Sequence, residues 1–296
     1  MDAKCEGQLM LAELIFGILV WVVIIIIITL VGSNLFAIMV GEQIRYLRLI
    51  IFYTPLPATA SIASNPEPVR GYVSWALGEN PKPVDCAHVR YTGRMRYGHT
   101  GRWMEMNGEA LFSLAAPGFV WHAKIAYAPG IGIEALDYYV HHEAGMTFSL
   151  FSLLPLDTAN SDEIRSSSLF RYLAFTPLFP MIYRSSGFIG WETVDELTAK
   201  AIIRDVDRSV KAVARFNGQG RIESIGTYPK TYPEIARPVP GLFANRFSGY
   251  ADVAGYRIPM QIASEQILPH GEYVCAEYSI TDVVYNISDT VKGRAA

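Results

Sequence analysis

The chain has 296 residues, 51% of them hydrophobic, with 28 acidic and 25 basic side chains and a formal net charge of −3. Acids and bases are interspersed, which argues against a nucleic-acid partner, and the length suits a membrane anchor plus one large β-rich domain. Cys5, Cys86 and Cys275 stand far apart without metal-ligand spacing and read as free thiols; Cys86 and Cys275 can pair only if strands bring them together.

No charge falls between Leu14 and Gly41, and the centre of that run reads Trp21-Val-Val-Ile-Ile-Ile-Ile-Ile-Thr29. A bilayer core of ~30 Å takes ~20 apolar helical residues, so the run is predicted to be a single transmembrane helix that stays in the mature protein. β-branched residues are weak helix formers in water, but in lipid the backbone must satisfy its own hydrogen bonds. A cleaved signal peptide has an apolar region of about 7–15 residues with a small-residue site close behind; here the run is longer, and Ala58-Thr-Ala60 lies far downstream. Residues 1–48 are assigned to the anchor and 49–64 to a juxtamembrane segment and linker. Residues 44–56 are apolar enough to continue along the membrane surface, with Arg45 and Arg48 placed for lipid phosphates. Those two arginines follow the helix while Lys4 precedes it. Cationic flanks favour the cytoplasm, but a difference of one charge leaves the side of the globular domain open.

Residues 65–286 are assigned to the globular domain and 287–296 to a tail. A short helix opens the domain, with Asn65 as its cap, Pro66 at its first position, Gly78 at its exit and an apolar stripe of Val69, Tyr72, Val73 and Ala76. The period then changes to two. In Ala87–Tyr97, Val89, Tyr91, Met95 and Tyr97 share one face while His88, Arg90, Thr92, Arg94 and Arg96 share a wet one. Further strands are expected at Arg102–Leu114, Phe119–Ala126, Ile133–His142 and Met146–Leu154, separated by turn signals, which argues for an antiparallel meander. The pattern breaks at Asn160–Tyr183, a capping-box start followed by an apolar helix that Pro177 and Pro180 end or kink. Strands resume at Phe188–Val194, Thr198–Asp205, Ser209–Phe216 and Arg221–Thr227, and Tyr256–Leu268 with Tyr273–Tyr285 makes a final hairpin. The fold class expected is mainly β (α+β): a curved antiparallel sheet or incomplete barrel covered by short helices, behind one N-terminal transmembrane helix.

Several blocks recur in a familiar order: Pro66-Glu-Pro-Val-Arg70, Gly101-Arg-Trp103, Pro117-Gly-Phe-Val-Trp121, Asp137-Tyr-Tyr-Val140, Phe170-Arg-Tyr-Leu-Ala174, Trp191-Glu192, Asn245-Arg-Phe247, Tyr256-Arg-Ile-Pro259 and Thr281-Asp282-Val283. The series resembles an uncharacterised, mostly bacterial family of membrane-anchored proteins with a domain of unknown function. That family is similar in organisation to the LolA-like lipoprotein carriers, incomplete barrels whose concave face, covered by helices, holds acyl chains. The resemblance brings no catalytic residue. A lipobox cysteine is missing too, since Cys5 precedes the apolar run.

The chemistry-bearing motifs are absent: no G-x-S-x-G, H-E-x-x-H, phosphate loop or G-x-G-x-x-G. His141-His142-Glu143 reads as a solvated cluster beside a turn, because adjacent strand residues face opposite ways and cannot share a metal. Asp205 and Asp207 read as solvated turn carboxylates. No cofactor or metal is expected. The expected ligand-binding residues are Phe119, Trp121, Trp191 and Phe179, lining an apolar groove over which Phe175–Tyr183 lies as a kinked flap. The leading reading is a membrane-anchored, non-catalytic protein that binds lipid, an acyl chain or another apolar ligand. Its rivals are a tethered scaffold that recruits an unidentified protein partner, and an enzyme with a dispersed site.

Overall fold

The structure, a computed structural model, describes residues 3–56, 62–78, 81–159, 162–185, 187–228, 242–268 and 271–286. Helix α1 (Ala3–Tyr53) is followed by a 3-10 turn at Ile62–Ser64 and by α2 (Glu67–Leu77). Six strands come next: β1 (Cys86–Met95), β2 (Met104–Ser113), β3 (Gly118–Ala128), β4 (Ile131–Val140), β5 (Glu143–Leu150) and β6 (Leu154–Ala159). Then come α3 (Asp162–Phe175), a 3-10 turn at Thr176–Leu178, and α4 (Ile182–Ser185). The chain finishes with β7 (Ile189–Asp195), β8 (Thr198–Asp205), β9 (Arg208–Phe216), β10 (Ile222–Gly226), β11 (Leu242–Val253), β12 (Tyr256–Leu268) and β13 (Gly271–Tyr285).

All 13 strands join one antiparallel sheet in the order β6-β5-β4-β3-β2-β1-β13-β12-β11-β10-β9-β8-β7. The first and last strands meet in the middle, where Val89 faces Val283 and Arg94 faces Glu277. β6 and β7 each pair with one neighbour, so the sheet curves without closing, as the alternating pattern implied. Two strands went unread in the sequence. The expected strand Met146–Leu154 runs through the turn at Phe151 and Ser152, whose φ angles are 52° and 58°, and stops where β6 begins. β11 carries Asn245, Arg246 and Ser248 among its apolar residues, which blurs the alternation.

The concave face is partly filled by helices. α2 buries its predicted stripe of Val69, Tyr72, Val73 and Ala76, although Pro66 rather than Asn65 sits at its N-cap and no side chain caps it. The expected flap is no cover: Pro177, Leu178, Phe179 and Pro180 are all buried. Tyr172 Oη donates to Ser113 O at 2.6 Å and Tyr285 Oη to Leu178 O at 2.6 Å, which fixes this segment against β2 and β13, the two strands that flank β1 in the middle of the sheet. Its prolines suit a core plug of irregular backbone that a regular helix would not fit. At one end the curled sheet is clasped across its width. Asp205 on β8 accepts from Tyr139 Oη on β4 at 2.5 Å and lies 2.7 Å from His142 Nδ1. Asp205 is therefore a buried acceptor and not the solvated turn residue expected from its neighbours.

α1 divides into two parts. From Met10 to Val31 every large apolar side chain is exposed. Beyond that, Gly32, Phe36, Val40, Leu47 and Ile50 form one buried stripe. Phe36, Val40, Leu47 and Ile50 pack on Leu111, Val120, Leu136 and Val140, the outward side chains of β2, β3 and β4. A Cβ at Gly32 would run into the carbonyl oxygen of Phe151, so only glycine permits this approach. Residues 44–56 were expected to run on along the membrane surface; instead Leu47 and Ile50 are covered by the sheet. The proposed linker at 55–64 falls partly outside the described residues.

Under α1 lies a polar chain. Glu134 accepts from His122 Nε2 at 2.8 Å and from Ser152 Oγ at 2.8 Å, and Ser152 Oγ lies 3.3 Å from Ser33 Oγ on the helix. Burial pushes the Glu134 carboxyl up, but the bonds from His122 and Ser152 outweigh it and hold the group below the ordinary carboxylate value. A depressed carboxylate contributes stability above its unfolded value, near pH 4.3, that is lost as pH falls through the folded one. Glu134→Gln is therefore expected to flatten the acid limb of the stability curve. A variant that loses stability in acid as steeply as wild type contradicts this. Leu47→Ala removes the centre of the α1 contact and is expected to cost roughly 2–5 kcal/mol. An unchanged thermal midpoint in detergent would show that the helix does not support the sheet.

Candidate functional site

Successive strand residues face opposite ways, so β3 sends Phe119, Trp121, Ala123 and Ile125 inward while Val120 and His122 lie under α1. The Trp121 ring stacks on Tyr91 from β1 with centroids 5.7 Å apart. Tyr91 meets Tyr278 of β13 edge-on at 5.3 Å, and Phe175 at the end of α3 meets Tyr278 at 5.9 Å. Beneath α3, between β1–β5 and β11–β13, Trp121, Phe175 and Tyr278 from this cluster border a cavity of about 510 Å³. Native interiors are close-packed, and this one is hollow because small side chains, Ala135, Ala174, Ser264 and Ala276, stand on its opposing walls.

Of the four residues expected to form the site, Phe119 and Trp121 line the cavity and Phe179 and Trp191 do not. Phe179 is fully buried on the far side of Phe112, its ring 4.9 Å from that residue and 5.8 Å from Tyr172. Trp191 lies on the edge strand β7, where it packs edge-on against Tyr183 at 5.3 Å. Their places in the wall are taken by Phe112, Phe148, Phe175 and Tyr278. Phe148 and Phe243 stand out in the sequence by aromatic content alone. The contributions of β11–β13 become visible only once β13 is known to pair with β1.

The polar groups of the wall are committed to one another. Arg171 on α3 pairs with Asp137 on β4 at 2.8 Å, and Ser168 Oγ donates to Asp137 at 3.4 Å. Burial pushes the Asp137 carboxyl up, and the pull of Arg171 and Ser168 only partly offsets it. Ser264 Oγ donates to Asn245 Oδ1 at 2.7 Å, and Asn245 Nδ2 donates to Ala174 O at 3.1 Å. Cys275 Sγ donates to Ser264 O at 3.3 Å, and burial pushes its thiol up to about 11. A thiol with that value stays protonated near neutrality and is a poor nucleophile. Cys86 is likewise buried. Among the described residues no group of three or more His, Cys, Asp and Glu side chains is arranged to hold a metal ion.

The mouth lies at the loop after β1. Arg96 donates through Nε to Val274 O at 2.8 Å and through Nη1 to His99 O at 3.0 Å. Its guanidinium sits 4.8 Å from the Trp103 ring and 5.5 Å from that of Tyr273. Arg96 was expected on the wet face with Arg90 and Arg94, but β1 ends at Met95 and the loop turns Arg96 to the opening. The true wet face is laced by ion pairs, Arg90 with Asp282 at 3.4 Å and Arg94 with Glu277 at 2.6 Å.

A family model described as a family of unknown function (DUF6544) matches residues 55–278. The chain belongs to that family. The ordered blocks from Pro66 to Pro259 that carried the resemblance fall within the matched stretch, and the last, Thr281-Asp282-Val283, lies just beyond it. No curated protein matches the chain. Among solved structures it is similar to an outer-membrane lipoprotein-sorting protein domain from Vibrio parahaemolyticus, at 12% identity over 77% of this chain and 94% of that one, TM-score 0.40. It is also similar to a LolA superfamily protein from Nitrosomonas europaea, at 15% identity over 79% and 97%, TM-score 0.39. A DUF1329 family protein from Desulfovibrio piger follows at 11% identity over 71% and 90%, TM-score 0.38. At those TM-scores nothing about the site of this family member follows from the likeness.

Breaking the buried ion pair gives a pH-signed test. Arg171→Met strands the Asp137 carboxylate and is expected to cost roughly 3–5 kcal/mol near neutral pH. A carboxyl whose folded value is raised is favoured below its unfolded value and penalised as pH rises through the folded one. The cost should therefore shrink as the pH is lowered. A loss that is independent of pH between 4 and 8 (about the range of interest) would show that the Asp137 charge is not what Arg171 balances.

Proposed function

We propose that this protein is a membrane-anchored binding protein whose cavity holds an apolar ligand of acyl-chain type. One observation carries the reading: a hollow of about 510 Å³, walled by Phe112, Phe119, Trp121, Phe148, Phe175 and Tyr278, in the interior of an otherwise close-packed half-barrel. Ligand pockets occupy roughly 300–1,000 Å³ and are mostly apolar with few polar groups. Here the polar groups of the wall already bond one another, so recognition falls to shape, dispersion and dehydration.

The anchor is the second part of the reading. α1 has one helix run, Met10–Tyr53, long and apolar enough to cross a membrane. Leu14–Val31 is its uncharged, wholly exposed portion. At 1.5 Å per residue this portion spans about 27 Å, close to the hydrocarbon thickness of ~30 Å. We assign that portion to the bilayer and the Gly32–Ile50 portion to the sheet. This shortens the span expected at 14–41.

Native mass spectrometry and lipidomics of the full chain extracted in mild detergent test the reading. About one amphiphile per chain is expected to stay bound through exchange into a second detergent, as a buried ligand should. Ala135→Phe and Ala276→Phe, which fill the hollow from opposite walls, should each reduce that occupancy to roughly a tenth while the protein still melts cooperatively. Retention no greater than that of an unrelated single-span protein would overturn it.

A further inference from the structure

The packing of α1 fixes which end of the half-barrel meets the membrane. Leu47 lies against Gly118 at the start of β3, Phe36 stacks near His122 at 5.8 Å, and Gly32 and Ser33 reach the turn between β5 and β6. The helix therefore runs along β3 towards the end where Ile125 faces Ile133 and Ile133 faces Leu150. At Val31 it leaves the sheet with its apolar side chains bare. The loop after β1, which holds the cavity mouth, is at this same end, because Met95 faces Met104 and Met106 faces Ile125.

That end also carries an apolar rim. Tyr97 is 86% exposed, Tyr127 45%, Leu153 39%, Leu154 52% and Leu156 55%. Among the described residues beyond α1 only Leu197, Val206 and Val284 are other large apolar side chains exposed to this degree. Val206 follows Asp205, whose bonds to Tyr139 and His142 place it at the opposite end of β4. Arginines accompany the rim: Arg102 donates to Tyr127 O with its guanidinium 4.7 Å from that ring, and Arg96 stands in the mouth. Tyrosines at the headgroup level, leucines just below and arginines facing phosphate are the composition of a surface seated in a bilayer interface.

We propose that the cavity opens onto the leaflet that α1 enters, with Tyr97, Tyr127, Leu153, Leu154 and Leu156 seated in its interface, and that the ligand is a membrane phospholipid taken up tail-first while its phosphate stays beside Arg96 and Arg102. This rests on the anchored, apolar-cavity reading above and adds the source, the orientation and the headgroup class of the ligand. The partner surface is the bilayer itself, continuous with the bare face of α1.

The test uses the full chain in phosphatidylcholine vesicles containing lipid brominated on the acyl chain near the headgroup. An environment-sensitive fluorophore is attached through Tyr97→Cys, Leu153→Cys or, as remote control, Val206→Cys, each with Cys5→Ser. Quenching at positions 97 and 153 is expected to exceed that at 206 by about threefold or more, since interfacial groups sit ~5–10 Å into the boundary. Equal quenching at all three overturns the proposal. Lipid retained in detergent together with equal quenching sinks this orientation and leaves the binding reading standing. Strong rim quenching without retained lipid overturns tail-first uptake together with the cavity reading. Arg96→Gln with Arg102→Gln should lower retention of phospholipid several-fold but not of a neutral diacylglycerol; an equal loss of both overturns the headgroup assignment.

Discussion

The rest of the structure depends on one helix whose packing changes part-way along its length. α1 is continuous from Ala3 to Tyr53, yet its two halves bury different things. From Leu14 to Val31 it presents bare apolar side chains all round, the feature on which the proposed bilayer span rests. The second half keeps a stripe of Phe36, Val40, Leu47 and Ile50 and spends it on the outer face of β2, β3 and β4. An antiparallel sheet commonly leaves one face to water. Here the outward Leu111, Val120, Leu136 and Val140 would be an exposed apolar patch without the helix. The second half of α1 is thus part of the second hydrophobic core. Rigid packing there, with Glu134 and Ser152 reaching Ser33, sets the attitude of the domain to whatever the first half of α1 enters.

The inner face follows a different logic. Thirteen strands curl without closing, and the insertion between β6 and β7 goes inside. α3, the Pro177–Pro180 segment and α2 fill one part of the concavity with Tyr72, Tyr172 and Phe179, all fully buried. The other part is bounded by aromatic rings but faced by alanines and a serine, so it stays open. The wall's polar atoms are satisfied internally, which removes the cost of exposing them to an apolar occupant. Apart from Arg96 at the mouth, the charged side chains of the wall are Asp137 and Arg171, which belong to the joint between α3 and the sheet.

Strand alternation and turn chemistry made the meander legible from residues alone. β8 and β12 have the expected ends, and Trp121 points inward as Val120 and His122 do not. What sequence patterns miss is what the third dimension decides. Pairing of β1 with β13 brings residues nearly two hundred positions apart into one wall, so Asn245, Ser264 and Tyr278 carried no local signal. Phe179 and Trp191 were sound choices as interior aromatics, but interior and cavity-facing are different conditions. Apolar character in Phe175–Tyr183 fits a core plug as well as a lid, and what distinguishes them is the burial of 176–180 together with the bonds from Tyr172 to β2 and from Tyr285 of β13 to Leu178. The docking half of α1 was hidden for a related reason: in so apolar a run a buried stripe has no contrast against its neighbours.

The claim on which everything else rests is that α1 and the sheet are one rigid body up to the point where the helix becomes bare. Ser33 and Ser152 sit at that point with their hydroxyl oxygens 3.3 Å apart, close enough for cysteine sulfurs at the same two positions to be drawn into a disulfide bond of about 2 Å. The direct measurement is oxidation of the full chain carrying Ser33→Cys and Ser152→Cys in its native membrane, followed by proteolysis and mass spectrometry of the linked peptides. Near-complete closure under mild oxidant, without loss of the protein's melting temperature, is the result the packing requires. If the two cysteines stay reduced and reachable by a water-soluble thiol reagent, the helix does not lie on the sheet, and neither the orientation of the domain nor the direction of its cavity follows from it.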